Sequence, residues 1–323
     1  MTRMRILTEE RSSALIDHEL AFRAVTDAFV AAAAPGATLF PVVIGHGSDE
    51  NDQFTLKSGA SGRFAGVKIG TYFPSNDARG LPRHGTTVLL FDQERGRIGA
   101  VVEASQVNAY RTAAADAVAT HALARTEAAV LTVFGTGHQA LYECLAVARI
   151  RPITRINVVG RDRARVDGLR RRLDEHLGAV ETRAADAETG CATADVIVTA
   201  TTARAPLFEA AWVRPGTHVS AMGSDAPGKQ ELPPALLHRA VLFCDLPSQS
   251  LRIGEFQHYD GDPGDVTAIG SVLSQGDPGP SDADRITVFD SSGIALQDLY
   301  VAEALLARDT DGEDGTSAAA AAE

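Results

Sequence analysis

An α/β fold is expected, with a Rossmann-type doubly wound dinucleotide-binding domain joined to a mixed α+β domain. Three observations predict it. A short apolar, β-branched run at 129–134 leads straight into Gly135-Thr136-Gly137-His138-Gln139-Ala140, the G-x-G-x-x-G/A form of a phosphate-cradling strand-to-helix turn. Further apolar runs at 155–159, 195–200, 217–221, 240–244 and 285–289 alternate with helical or loop segments, as in a parallel sheet covered on both faces. Ahead of them lies a module of different rhythm, in which short strand-like runs follow one another closely.

The elements follow in chain order. From 17 to about 34, Leu20, Val25, Ala28 and Phe29 form a helical stripe that Pro35-Gly36 stops. Runs at 53–57, 64–69, 86–91 and 98–102 are strand-like and separated by Gly, Pro, Asn or Asp. A long helix over about 109–125 leads into the dinucleotide fold, and a last helix at 293–308 is expected to return to the first module. The domains are therefore read as 1–122 with 293–323, and 123–292. From 309 the chain is acidic and glycine-containing, then ends in an alanine run; it reads as a disordered tail.

Within the turn, Gly135 permits the tight bend, Gly137 lets the backbone approach a pyrophosphate, and Ala140 lets the next helix lie close to the strand. Thr136, His138 and Gln139 complete the expected contacts, where free N–H groups and the positive helix end face the anion. The second strand ends in Gly160-Arg161-Asp162-Arg163, without the acid that would bind a ribose 2′-hydroxyl. Arg161 suits a 2′-phosphate instead, so NADP, as NADPH, is expected ahead of NAD. One such charge-assisted bond contributes on the order of 1.5–3 kcal/mol. Two other uses of these residues stay open: Asp162 as a helix cap beside solvated arginines, or Asp162 turned to the ribose, which would favour NAD.

With 323 residues, 45% hydrophobic and 22% charged, the chain can build two domains with real cores. A formal charge of −12 argues against nucleic-acid or anionic-membrane partners. Cys144, Cys191 and Cys244 lie far apart in apolar stretches and read as buried thiols of a reducing compartment. No C-x-x-C, H-x₃-H or H-E-x-x-H occurs, so no metal site is expected. The N-terminus turns acidic before any apolar h-region, and no 18-residue apolar run exists; a cytoplasmic protein is expected.

Several motifs together resemble one family over about residues 56–306. They are Gly66-Val67-Lys68 followed by Phe73-Pro74-Ser75-Asn76, Pro82-Arg83-His84, Tyr110-Arg111-Thr112-Ala113, Gly135-Thr136-Gly137, Met222-Gly223-Ser224-Asp225-Ala226-Pro227-Gly228-Lys229, and Phe289-Asp290-Ser291-Ser292-Gly293. The chain is similar to the ornithine cyclodeaminase and mu-crystallin family, and Pro82-Arg83-His84 resembles its ketimine-reducing branch. The resemblance implies a homodimer, with the first module and the last helix supplying the dimer interface and much of the substrate pocket. It also implies a small carboxylated imine or amino acid as substrate.

Hydride transfer to a C=N bond needs the carboxylate held, the nitrogen protonated and the nicotinamide C4 near the imine carbon. The resemblance makes Arg111 the carboxylate clamp. Lys68 becomes a substrate-facing lysine that neutralises the carboxylate or moves a proton, and His84 a pocket histidine. Asp225, just past a strand's carboxyl end, becomes the acid to the imine nitrogen or the base in reverse. Lys229 is expected to touch the cofactor or its own loop, Ser291 the nicotinamide carboxamide, and Thr201 and Met222 the cofactor site. Two departures stand out. Thr55 occupies the place of the cyclodeaminase glutamate, and the family's N-terminal arginine is absent around 41–43, with Lys57 as its replacement.

These readings converge on an NADPH-dependent reductase of cyclic α-imino acids, Δ1-pyrroline-2-carboxylate or its six-membered homologue, giving proline or pipecolate. The alternatives are an ornithine or lysine cyclodeaminase, an NAD(P)-dependent amino acid dehydrogenase, and a non-catalytic, crystallin-like protein that binds NADP and a small ligand.

Overall fold

The computed structural model describes residues 4–276 and 284–320, with side chains up to residue 309. The chain divides into two compact units, Met1–Arg111 with Ile294–Glu323, and Thr112–Gly293. The first break falls inside a helix, Ser105–Leu123, rather than at its last turn, where the boundary was expected at residue 122.

The first unit runs β1 (Arg5–Leu7), α1 (Glu9–Leu15), α2 (His18–Ala33), β2 (Thr38–Leu39), β3 (Val43–His46), β4 (Gln53–Ala60), β5 (Ala65–Tyr72), β6 (His84–Asp92), β7 (Arg97–Glu103) and the start of α3 (Ser105–Leu123). Asp17 caps α2 by accepting the Leu20 N–H, and the helix buries Leu20, Ala24, Val25, Ala28 and Phe29. This is the stripe expected from spacing 3 and 4. Strands β4 to β7 form an antiparallel meander; β1 joins β7 in parallel, and β2 and β3 both pair with β4. None of β1, β2 or β3 was among the expected strands. They are two to four residues long, and Val43 and Ile44 stay exposed, so no buried alternation marks them.

Register places Lys57 opposite Lys68 and Gly59 opposite Gly66. The C-terminal helix, Ala295–Ala320, packs on this face. A Cβ at Gly66 would lie 2.9 Å from a Leu299 methyl and 2.2 Å from the Leu89 carbonyl oxygen, and one at Gly59 would lie 3.6 Å from Ala295. The glycine pair thus admits the helix, and the lysine pair lies beside it. Helical backbone continues through Ala320, where a disordered tail was expected from 309. Residues 321–323 of that tail lie outside the described residues.

The second unit carries β8 (Val130–Phe134), α4 (His138–Ile150), β9 (Arg155–Val159), α5 (Arg163–His176), β10 (Glu181–Ala184), α6 (Ala187–Thr193), β11 (Val196–Thr199), β12 (His218–Ala221), α7 (Pro234–Leu237), β13 (Ala240–Cys244), α8 (Pro247–Ile253), β14 (Val266–Ala268), α9 (Ile269–Leu273) and β15 (Ile286–Asp290). They build an eight-stranded parallel sheet in the order β10-β9-β8-β11-β12-β15-β13-β14. The six expected strands occupy its centre. The two additions are edges, β10 with its polar Glu-Thr-Arg-Ala and β14 with three residues, neither of which makes an apolar run. Phe134, Ile197, Val219, Leu242 and Val288 pack in the core. All three cysteines are buried and free. Strand order reverses beside β8, with β9 on one side and β11 on the other, so a ligand crevice is expected at the carboxyl ends of β8 and β11. No helix among the described residues is long and apolar enough to cross a membrane.

Candidate functional site

In the first unit, Lys57, Lys68 and Arg111 are only 6–7% exposed. Cross-strand partners on one face keep their side chains adjacent, so the two lysines share an interior location. Asn108, one turn before Arg111 on α3, accepts from Lys68 Nζ at 3.3 Å and from Arg111 Nη2 at 2.8 Å. Arg111 Nε donates to Asp298 Oδ1 at 3.1 Å and Nη1 to Gln297 Oε1 at 3.4 Å, both on the C-terminal helix. A guanidinium has five N–H groups, so these bonds leave one on each of Nη1 and Nη2, the fork that suits a carboxylate. Thr55 lies beside this group, since its Oγ1 and Lys68 Nζ approach the position of a Cβ at Gly70 to 3.0 and 3.2 Å.

His84 stands apart from the buried trio. It opens β6, is exposed, pairs with Tyr72 in the ladder and rests on the Tyr72 ring at 4.8 Å, whereas Lys68 pairs with Val88 further along.

In the second unit, Gly135 adopts φ +120°, and a Cβ there would come within 2.6 Å of the Ala200 carbonyl oxygen; only glycine fits where β8 and β11 end side by side. Gly137 differs. A Cβ on it would meet nothing within 4 Å, so protein packing does not demand glycine, whereas close approach of a phosphate would. It also caps α4 without any side-chain hydrogen bond, leaving N–H groups of the first turn for an anion. The turn therefore fits a dinucleotide pyrophosphate. Thr136 packs on Gly160, where a Cβ would lie 2.7 Å from the Thr136 methyl, which explains why no acid stands at 160. Arg161 is exposed, and Asp162 is engaged as the α5 cap, accepting from the Ala164 and Arg165 N–H groups. His138 opens α4, and burial followed by the charge of Arg172 lowers its pKa. Gln139 donates to buried Glu143 at 2.7 Å. Burial pushes the neighbouring Asp116 carboxyl up to about 6.

Thr201, Met222, Asp225, Lys229 and Ser291 all follow the carboxyl ends of β11, β12 and β15. Glu231 organises the first two ends. Its carboxylate accepts from Thr199 Oγ1, the Thr201 N–H, Thr201 Oγ1 and the Gly223 N–H at 2.7–2.8 Å. Burial raises its pKa, against the pull of those bonds. Behind it, Glu255 accepts from the Glu231 and Leu232 N–H groups, and burial pushes it up to about 8. Asp245 takes the Gly293 N–H at 2.6 Å and the Ser292 hydroxyl at 3.1 Å, with Ser291 Oγ at 3.5 Å. Lys229 Nζ reaches Asp225 Oδ1 at 2.5 Å and the Gly223 carbonyl at 3.3 Å, so the expected loop contact includes an ion pair with the expected acid–base residue. Asn108, Gln297, Asp298 and Glu231 were not among the expected residues. Asn108 alone had a local signal, three residues before Arg111 on one helix.

A sequence model of the ornithine cyclodeaminase/mu-crystallin family matches residues 2–313. The iminosuccinate reductase of Paracoccus denitrificans is 38% identical over 315 residues, covering 94% of this chain and 96% of that protein. Its crystal structure in complex with NAD+ superposes with a TM-score of 0.88 at 35% identity, covering 96% and 97% of the two chains. An archaeal alanine dehydrogenase dimer with bound NAD gives 0.88 at 30% identity, with coverages of 96% and 97%. A Δ1-pyrroline-2-carboxylate reductase of P. denitrificans is 35% identical over 248 residues, 73% of this chain and 77% of that protein.

Proposed function

Because the chain belongs to the ornithine cyclodeaminase/mu-crystallin family, we propose that it is an NAD(P)H-dependent reductase of α-imino acids, compounds whose C=N carbon carries a carboxylate. The observation that carries this reading is the buried Lys57, Lys68 and Arg111 group with two Arg111 N–H donors left over. Asp298 already pairs with Arg111 Nε, and a substrate carboxylate would accept from the two remaining N–H groups of the fork. The dinucleotide, held at Gly135–Gln139, supplies a hydride to the imine carbon. NADPH is the proposed form, since position 160 has no room for an acid, Asp162 is spent on the helix cap and Arg161 is exposed.

Each residue then has a defined task. Arg111 binds both carboxylate oxygens while Asp298, Gln297 and Asn108 fix its plane. Lys68, held through Asn108, adds positive potential on the same side. Asp225 gives a proton to the imine nitrogen and takes one back in the reverse direction, with Lys229 beside it as its ion-pair partner. Asp245 and Glu231 hold the backbone of the turns that carry Ser291 and Thr201. A homodimer is part of the proposal, by analogy with the archaeal alanine dehydrogenase.

Two substrate types fit. The cyclic acids Δ1-pyrroline-2-carboxylate and Δ1-piperideine-2-carboxylate offer one carboxylate and an apolar ring. Iminosuccinate offers two carboxylates, and the Lys57–Lys68 pair favours it as the second reading, in keeping with the relative named for that activity. A cyclodeaminase reading is disfavoured by the hydroxyl of Thr55 where a carboxylate would be needed. The test is to follow NADPH and NADH oxidation with each imine, the dicarboxylate being formed from oxaloacetate and ammonia. Turnover of at least one α-imino acid supports the proposal, whereas ammonia release from ornithine or lysine without imine reduction contradicts it.

A further inference from the structure

Helix α5 carries five arginines in Arg163–His176, on a protein of net charge −12. Arg163 and Arg170 both reach Asp167, at 3.1 and 3.2 Å, and Arg165 reaches the exposed carboxylate of the capping Asp162 at 3.8 Å. Arg165, Arg171 and Arg172 line one open depression of about 470 Å³ with Thr136, Gly168, Leu169 and Glu175. Thr136 is the middle residue of the Gly135-Thr136-Gly137 turn, so the depression adjoins the proposed pyrophosphate cradle. Three features of its wall stand out. Arg165 stands in the first helical turn, where a cation opposes the macrodipole. Arg172 is half-buried, yet no carboxylate pairs with it among the described residues. Gly168 occupies a helix interior, where alanine would be more stable, although a Cβ there would meet nothing nearer than Arg171 Nη2 at 4.0 Å. The missing side chain leaves the floor of the depression open, and the guanidinium groups outnumber the single carboxylate of Glu175.

We propose that this groove is a phosphate site for the adenosine end of the cofactor, in which Arg165 and Arg172 bind the 2′-phosphate of NADPH. The inference rests on the dinucleotide reading above and extends it from Arg161, at the strand end, to the face of α5. Residues 165 and 172 are seven apart, two helical turns or about 10 Å along one face, so their long side chains can converge from either side on a single phosphate. Arg172 also acts on His138 at the start of α4, lowering its pKa alongside burial, which places its charge next to the turn. A dianionic phosphate accepts charge-assisted bonds from both guanidinium groups, whereas the 2′-hydroxyl of NADH offers them little.

The test uses the full-length protein and titrates NADPH and NADH by nicotinamide fluorescence in wild type, Arg165→Ala, Arg172→Ala and the double variant, with Arg163→Ala as a control on the same helix. The double variant is expected to weaken NADPH by about a hundredfold and NADH by less than about twofold, while Arg163→Ala leaves the ratio unchanged. Arginine-to-alanine changes on a helix favour helix formation, and circular dichroism checks that the fold persists. An unaltered NADPH-to-NADH ratio in the double variant, with both forms still bound, overturns the groove but not the reductase. Inorganic phosphate that raises the melting temperature through Arg165 and Arg172 without any change in that ratio overturns it too. Failure of the wild type to bind either dinucleotide overturns the functional reading itself, and the groove with it.

Discussion

The first unit buries three cations, Lys57, Lys68 and Arg111, and two acids, Asp52 and Asp298, whereas the second buries Asp116, Glu143, Glu231, Asp245, Glu255 and Asp290, with Arg151 as its one buried arginine among the described residues. The difference lies in what meets each charge. The acids of the second unit are turned on the protein's own backbone: Glu231 ties the ends of β11 and β12, Glu255 takes two N–H groups, and Asp245 closes the turn at Gly293. Burial raises the pKa of Glu231, Glu255 and Asp290 from their ordinary values. The cations of the first unit instead collect on one face, with part of the Arg111 fork left over. Buried acids here shape turns, and the buried cations gather on one face beside the open edge of the Arg111 fork.

The largest expected effect breaks the cationic side. Arg111→Met removes a bidentate charged contact from a dry site, and kcat/KM for an α-imino acid should fall by about 10³-fold or more, while NADPH binding stays within about twofold. Equal loss of both in steady-state and binding assays would mean that Arg111 is structural. Next comes Glu231→Gln. The amide nitrogen must face a backbone N–H, so a loss of about 2–3 kcal/mol is expected by denaturant melts, together with weaker dinucleotide binding.

A smaller effect concerns Glu255, whose carboxyl is pushed up to about 8 from an ordinary 4.5. A raised acid pKa means that the folded protein binds the proton more tightly than the unfolded chain, so stability falls as pH rises from about 4.5 through about 8. Glu255→Gln resembles the protonated acid. Its melting temperature should therefore decline less than that of wild type between about pH 5 and about pH 8.5, and parallel curves would show that burial of this acid has no such cost. The smallest effect is Gly168→Ala, expected to stabilise α5 by about 0.5–1 kcal/mol while weakening NADPH more than NADH.

How far each unit could be read from the sequence follows from the range of its interactions. The Gly135–Ala140 turn was legible because its chemistry is local, one glycine fitting against Ala200 and one approaching phosphate. The α2 stripe and six central strands were legible through periodicity. Edge strands such as β10 and β3 carry polar or exposed residues and leave no pattern. The partners of Arg111 were hidden for another reason: Asp298 lies 187 residues away and looks like any acid in a helix. Glu231 reads as a loop glutamate until the ends of β11 and β12 are brought to it. The segment from 309 was read by composition as a disordered tail, whereas the last helix continues through Ala320.

The central claim is that the protein reduces imines that carry a carboxylate, and that Arg111 holds that carboxylate. The most direct measurement compares NADPH oxidation with Δ1-pyrroline-2-carboxylate or iminosuccinate against Δ1-pyrroline, the same type of C=N bond without a carboxylate. Turnover confined to the carboxylated imines, with a preference of about 10³-fold or more that collapses in Arg111→Met, is the predicted result. Comparable rates with Δ1-pyrroline, unchanged by Arg111→Met, would contradict it.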